Sequence, residues 1–305
     1  RQMCIRDRGN SGRGQGMMLQ GDWEEYIWMR DPAVCYYNGS YHCFYTHIDS
    51  KRALQEGITL SLARIISNDL RKWSAPEILF DSPLGFSSPG NCIWNEKEFV
   101  LCMQSYPIDR GEQYGNENCR LWTSVSRDLK VFSRPVAMDP AGCKAPWAVT
   151  SRQIDPYLVK GEGSFHVLYK TDGCLGLLKS LDLVHYEEAS EAEPILRQEQ
   201  TPDGSTVENP CVIRVGERYR MYFAPCRPGR GIGTAESNDL IHWEGIRYLD
   251  FPKVPWAPGG PTAPMVLDDR ARSGKWLMFF HGDTLREHGG ALGLAFSSDL
   301  EHWEM

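Results

Sequence analysis

The chain has 305 residues, 41% of them hydrophobic, and a net charge of −7. That is enough apolar material for a core, and the acidic balance excludes nucleic acid as a partner, because binding it demands a basic stripe. No apolar run approaches the length of a membrane span, so no membrane partner is expected.

Arg1 to Gly16 is basic, glycine-rich and aperiodic, and it lacks the apolar h-region of a signal peptide. Met3 to Arg8 looks like a translated sequencing-adapter scar. Residues 1–16 are therefore read as a disordered or non-native stretch, and 17–305 as a single domain. From there the chain repeats itself. Each unit opens on a short apolar run holding a proline: Asp31-Pro32-Ala33-Val34, Ser88-Pro89, Asp155-Pro156-Tyr157-Leu158, Glu208-Asn209-Pro210-Cys211 and Ala263-Pro264-Met265. A turn follows, then an aromatic and aliphatic run (Tyr41 to Tyr45, Phe99 to Met103, Phe165 to Tyr169, Tyr219 to Phe223, Trp276 to Phe280). Turn residues between β-rich runs predict hairpins. A third run leads into Ser-x-Asp-Leu-x-x-aromatic, found at Ser67 to Trp73, Ser126 to Phe132, Ser180 to Tyr186, Ser237 to Trp243 and Ser297 to Trp303. Its aspartates recur at spacings of 59, 54, 57 and 60 residues, and a period of this size marks a repeat architecture.

With a fourth short strand after each phrase, the fold predicted is all-β: a five-bladed β-propeller with four antiparallel strands per blade and an active site at one mouth of the central channel. The fifth unit stops at Met305 before a fourth strand. Residues of roughly 17–25 are expected to supply it, since an open ring would leave unpaired edges. The ten cysteines show no zinc-site spacing and fall mostly in predicted strands, which leans to a reducing, cytoplasmic location. A lost leader would keep a secreted or periplasmic one open. Cys35 and Cys43 face each other across a predicted hairpin, which leaves room for one disulfide.

The repeat also separates structural from functional acids. The Asp of the Ser-x-Asp-Leu phrase occurs in every unit and reads as a turn cap. The residue before the first-strand proline varies instead: Asp31, Ser88, Asp155, Glu208 (one residue further from Pro210) and Ala263. First strands line a propeller channel, so Asp31, Asp155 and Glu208 should meet at one mouth. Clustered carboxylates raise one another's pKa, and such crowding points to catalysis or cation binding rather than to stability. The alternative is that each acid is an isolated turn residue or pairs with Arg30, Arg152 or Arg214.

Trp28-Met29-Arg30-Asp31-Pro32, Gln153-Ile154-Asp155-Pro156 and Thr206-Val207-Glu208-Asn209-Pro210, together with the repeats, resemble the five-bladed glycoside hydrolases: the arabinanase/β-xylosidase-like family 43 and the related invertase/levanase-like family 32. The resemblance covers residues 20–305. It implies a furanosidase or xylosidase of the α-L-arabinofuranosidase/β-xylosidase type acting on a carbohydrate, with no organic cofactor and with room for a structural Ca²⁺ or Na⁺ in the channel. In the family 43 pattern Asp31 would activate water, Glu208 would protonate the leaving oxygen and Asp155 would hold up the pKa of Glu208, giving inversion. In the family 32 pattern Asp31 would attack the anomeric carbon and give retention, as in a β-fructofuranosidase. Glu208-Asn209-Pro210 departs from both the Glu-Gly-Pro of family 43 and the Glu-Cys-Pro of family 32. Arg30, Trp28, Asn91, Trp94, Arg152 and His281 are the candidate substrate contacts. Two rival readings are a non-catalytic glycan-binding propeller and a site that uses the acids as metal ligands. Oligomeric state has no sequence signal.

Overall fold

Short runs of buried aliphatic and aromatic residues, punctuated by polar turns every few residues, leave the chain little choice but a stack of small hairpins. The computed structural model describes residues 17–20, 27–49, 60–109, 111–285 and 289–305, and among them five antiparallel sheets form the five blades of a propeller. The first strand, β1 (Met17–Gln20), belongs to the last blade. Blade one is β2 (Ile27–Tyr37), β3 (Ser40–Asp49), β4 (Leu60–Ser67) and β5 (Glu77–Asp81). In blade two the inner strand is split into β6 (Phe86–Ser87) and β7 (Cys92–Trp94), both paired with β8 (Phe99–Ser105), followed by β9 (Arg120–Ser126) and β10 (Val136–Ala137). Blade three is β11 (Ile154–Lys160), β12 (Phe165–Thr171), β13 (Cys174–Ser180) and β14 (Glu187–Glu188). Blade four is β15 (Thr206–Val215), β16 (Arg218–Cys226), β17 (Gly233–Ser237) and β18 (Glu244–Tyr248). Blade five is β19 (Gly260–Asp268), β20 (Trp276–Asp283) and β21 (Gly290–Ser297), completed by β1 on the outer edge of β21, with Gln20 opposite Ala291. The ring is thus closed from the N-terminal side, as expected, by residues 17–20; residues 21–25 lie outside the described residues.

The second strands carry the core. Phe44, Tyr45, Leu101, Met103, Tyr169, Tyr222, Phe223, Phe279 and Phe280 are all fully buried between blades. Burying one such side chain contributes about 1.5–3 kcal/mol. The aromatic of the repeated phrase bridges neighbouring blades: Trp303 meets Tyr222 edge-on at 6.0 Å, and Phe132 meets Phe44 at 5.7 Å.

The expected facing of Cys35 and Cys43 is corrected by the hairpin register. Cys35 lies opposite His42 and Cys43 opposite Val34, and the two residues join different core clusters on opposite faces of the sheet. Both are free thiols.

Candidate active site

Each inner strand is interrupted at its proline. The residue before it takes a left-handed backbone in all five blades: Asp31 (φ 49°), Ser88 (φ 39°), Asp155 (φ 52°), Asn209 (φ 49°) and Ala263 (φ 48°). Sterics disfavour this conformation for a non-glycine residue, more so before proline, and each instance costs on the order of 1–3 kcal/mol. In blades one, three, four and five the ladder shifts register at this point. The kink therefore belongs to the fold, since even Ala263 adopts it, and it turns five side chains toward the channel. The residue of blade four at this phase is Asn209; Glu208 sits one step earlier, on the strand itself.

A second ring lies behind the first. The residue paired across the hairpin with the one preceding each kink is Thr46, Gln104, Lys170, Ala224 and His281 in blades one to five. Four are polar, and each serves the inner strand of the next blade. The Thr46 hydroxyl donates to Asp31 Oδ2 (2.9 Å) and accepts from the Ser88 amide (2.7 Å). Gln104 Oε1 accepts from the Asp155 amide (2.7 Å), and Lys170 Nζ donates to Glu208 Oε2 (2.8 Å). His281 Nδ1 stands 3.6 Å from Asp31 Oδ1, too long for a hydrogen bond but close enough for a strong electrostatic effect.

The three acids are brought to one mouth, and their environments differ. Burial pushes the Asp31 carboxyl up, but His281, Arg30 and Thr46 outweigh it and hold the group at about 2, so Asp31 is ionised. Asp155 is 8% exposed; burial, opposed by Lys170 and reinforced by the charges of Glu208 and Asp31, pushes it up to about 6. Its Oδ1 accepts from the Ser88 hydroxyl (3.1 Å) and its Oδ2 from the Asn209 amide (3.4 Å). Glu208 is clamped between cations: Oε2 faces Lys170, and Oε1 lies 2.7 Å from Arg230 Nη1. Burial raises its carboxyl, yet Lys170, Arg230 and Arg30 bring it below the ordinary glutamate value. Of the Asp155–Glu208 pair, Asp155 is therefore the one that takes up a proton first as the pH falls.

Arg30 lies among the acids, with its Nε buried and without a hydrogen-bond partner among the described residues. Its stem and the His281 ring occupy the space that a side chain at Gly290 would fill: a Cβ there would lie 2.9 Å from Arg30 Cγ and 3.2 Å from His281 Cδ2. His281 is buried beside Asp31, and burial together with Arg30 lowers its pKa. Arg152 donates from Nη2 to the Tyr106 hydroxyl (3.0 Å) and covers that ring.

The remaining candidates lie away from the three acids or are tied into the fold. Trp28 is buried against Ile48, Leu60 and Tyr106, inside the fold rather than on a platform. Trp94 is exposed but lies six residues beyond Ser88, at the opposite end of the inner strand, edge-on to Phe99. Asn91 is spent on the frame: its amide donates to the Leu158 carbonyl (2.8 Å) and its Oδ1 accepts from the Leu158 amide (2.9 Å), joining blades two and three. Lys170 and Arg230 were missed. Lys170 had a signal, a lone charge in the buried run Phe165–Thr171, whereas Arg230 comes from the β16–β17 loop and had none. Among the described residues, no group of three or more His, Cys, Asp or Glu side chains is arranged to hold a metal ion.

Comparison with known proteins bears on the family and the fold. The family model of the glycosyl hydrolases family 32 N-terminal domain matches residues 24–231. The extracellular endo-α-(1→5)-L-arabinanase of Thermotoga petrophila is 28% identical over 124 residues, which are 35% of this chain and 25% of that protein, so the match spans about a quarter of that relative. Among solved structures, the exo-1,5-α-L-arabinanase from a bovine ruminal metagenomic library superposes with a TM-score of 0.66 at 14% identity, over 91% of this chain and 96% of that one. The GH32 β-fructofuranosidase of Bombyx mori gives 0.65 at 16% identity, over 88% and 60%. At these identities the structural likeness speaks to the fold alone.

Proposed function

The chain belongs to the family of the glycosyl hydrolases family 32 N-terminal domain, and from that premise we propose that it hydrolyses a glycosidic bond to a sugar in five-membered-ring form, with Asp31, Asp155 and Glu208 as its working carboxylates. The observation that carries this is the meeting of the three acids at one mouth with their proton affinities set apart: Asp31 held at about 2, Glu208 below the ordinary glutamate value and Asp155 raised to about 6. General acid–base chemistry needs that division at a single pH. The sugar form is supported by the relatives' own linkages. A 1→5-linked pentose cannot be a pyranose, because O5 would then be inside the ring, so an arabinanase of that linkage and a β-fructofuranosidase both open furanosides. A β-xyloside remains within the same chemistry.

In the reaction so proposed, Asp31 takes a proton from water as the water oxygen bonds to the anomeric carbon. The bond to the leaving oxygen breaks, and that oxygen takes the proton of Glu208. For Glu208 to carry the proton, the pair Lys170 and Arg230 must slacken, which a sugar hydroxyl accepting from either cation would bring about. The charge of Asp155 beside Glu208 then raises the glutamate's proton affinity, and Glu208 takes that proton from solvent before the leaving oxygen departs. The family match favours a second form of the same reaction, in which Asp31 bonds directly to the anomeric carbon of a β-fructofuranoside and water releases it with retention.

The test is hydrolysis of aryl α-L-arabinofuranoside, β-xyloside and β-galactofuranoside and of sucrose, wild type beside Glu208→Gln, with the anomer released followed by NMR. Turnover of one substrate, lowered in the variant by 10²–10⁴-fold, is the expected result. No turnover of any of them by either protein would leave a glycan-binding propeller as the better account.

A further inference from the structure

A second cavity opens beside the carboxylates. It has a volume of about 380 Å³ and is lined by Thr150, Arg152, Lys170, Asp172, Gly173 and Thr206, with Ile154 and Thr171 behind them. It borders the site already described through two residues: Lys170, which holds Glu208, and Thr206, two positions before Glu208 on β15. Its walls are set by a tight turn. Asp172 and Gly173 both have positive φ (47° and 79°), as a two-residue hairpin connecting β12 and β13 requires. Gly173 has no room for a side chain, since a Cβ there would lie 2.7 Å from Thr206 Cγ2.

The charges around this cavity do not balance. Asp172 is committed to the loop before it: its Oδ2 accepts from the Val149 and Thr150 amides (2.7 and 3.1 Å) and its Oδ1 from the Thr150 hydroxyl (2.8 Å). Glu208 is shared between Lys170 and Arg230. Arg152 has no acidic partner among the described residues. Its side-chain partners among the described residues are neutral, the Tyr106 phenol and the Cys119 thiol, and its Nε is buried without a hydrogen-bond partner among those residues. A guanidinium keeps donors in a planar fork suited to an oxyanion, and here it stands in a roomy polar cleft of a chain whose net charge is −7.

We infer that this cleft is an oxyanion subsite, in which Arg152, with Lys170 and the Thr206 hydroxyl, receives a carboxylate carried by a neighbouring sugar of the substrate. This rests on the hydrolase reading and narrows it: the glycan attacked would contain a uronic acid next to the furanoside that is cleaved. A free phosphate offers the same chemistry and is the second source to be distinguished.

The experiment is calorimetric titration of the full chain with galacturonate, with its neutral methyl ester and with inorganic phosphate, on wild type, Arg152→Gln and Arg152→Lys. Binding of galacturonate at least 10-fold tighter than its ester is expected. Arg152→Gln should abolish that preference and Arg152→Lys restore part of it. Phosphate binding that depends on Arg152, with no preference for galacturonate over the ester, would keep the oxyanion subsite and name phosphate as its source. Equal affinity for acid and ester together with no phosphate binding overturns the inference, as does a preference unaffected by Arg152→Gln. Hydrolysis separates the two proposals. Turnover of a neutral furanoside with no anion preference sinks only the subsite, and an anion preference without any turnover sinks only the hydrolase.

Discussion

Two rings of equivalent residues run around this propeller, one at the outer corners and one at the channel mouth, and they teach opposite lessons. At the outer corners the side chains are uniform and so are their bonds. In each blade the Ser hydroxyl accepts from the amide of the Asp two residues on, and the Asp Oδ1 accepts from the amides two and three residues beyond itself, as with Asp239 and the amides of Ile241 and His242 (2.9 and 2.8 Å). At the channel mouth the backbone is uniform and the side chains are not. Five residues share one left-handed kink, yet they read Asp, Ser, Asp, Asn and Ala. Where the fold needs the side chain, the side chain repeats. Where it needs only the bend, the side chain is released for chemistry.

The contrast breaks most visibly at Asp31. Asp31→Asn keeps the bend, since Asn tolerates positive φ at least as well as Asp, and removes the ionised group. The expected result is a 10²–10⁴-fold fall in kcat with the fold intact by circular dichroism. Loss of the fold instead would place Asp31 with the corner aspartates, as a structural residue.

Asp155 sharpens the comparison through stability. A carboxyl raised to about 6 in the folded chain, above its ordinary 3.8, is stabilising to keep only while protonated. Its cost is absent below pH 4, grows as pH rises through 6, and is complete above. Asp155→Asn should therefore stabilise the protein at pH 8 by on the order of 1–3 kcal/mol and have little effect at pH 4, while lowering activity. Urea denaturation at the two pH values measures this. A variant equally or less stable at pH 8 would mean that Asp155 is not held protonated by its surroundings. At the corners the sign is reversed. Asp239 is held at about 2 by its bonds to His242 and to the amides, against some burial, so its stabilisation is present above 3.8 and lost as pH falls through 2.

The same contrast explains what could be read from the sequence. The Ser-x-Asp-Leu phrase announced the blades, because a side chain required by a turn must recur at the blade period. Asp31 and Asp155 were legible as departures from a phase, although the phase itself is a backbone conformation and was visible only through the proline that follows. Blade four shows the limit: Asn209 occupies the kink and Glu208 the strand before it, a one-residue offset that no spacing rule assigns to a φ of 49°. The second ring was present as Thr46, Gln104, Lys170 and His281 ending apolar runs, but only His281 was picked out. Cross-strand register is needed to see the four as one set. The clamp on Glu208 was not legible, since Arg230 reaches it from a loop in the same blade whose path the repeat does not fix.

The smallest effect is expected where the sequence is most regular. Asp239→Ala removes the acceptor of two backbone amides at one corner of blade four and the ring contact of His242 (2.8 Å), while Trp243 still packs and its indole still donates to the Leu240 carbonyl (3.0 Å). The corner is open to solvent, so water takes over part of the lost bonding, and a net loss of about 1 kcal/mol is expected. Among the described residues the hydrogen bonds of Asp239 stay within its own corner, so kcat and its pH profile should stay as in wild type. Thermal unfolding and kinetics on the same preparation test both halves. A changed pH profile would show that the outer ring communicates with the carboxylates, and the division between side chains kept for the fold and side chains released for chemistry would then be wrong.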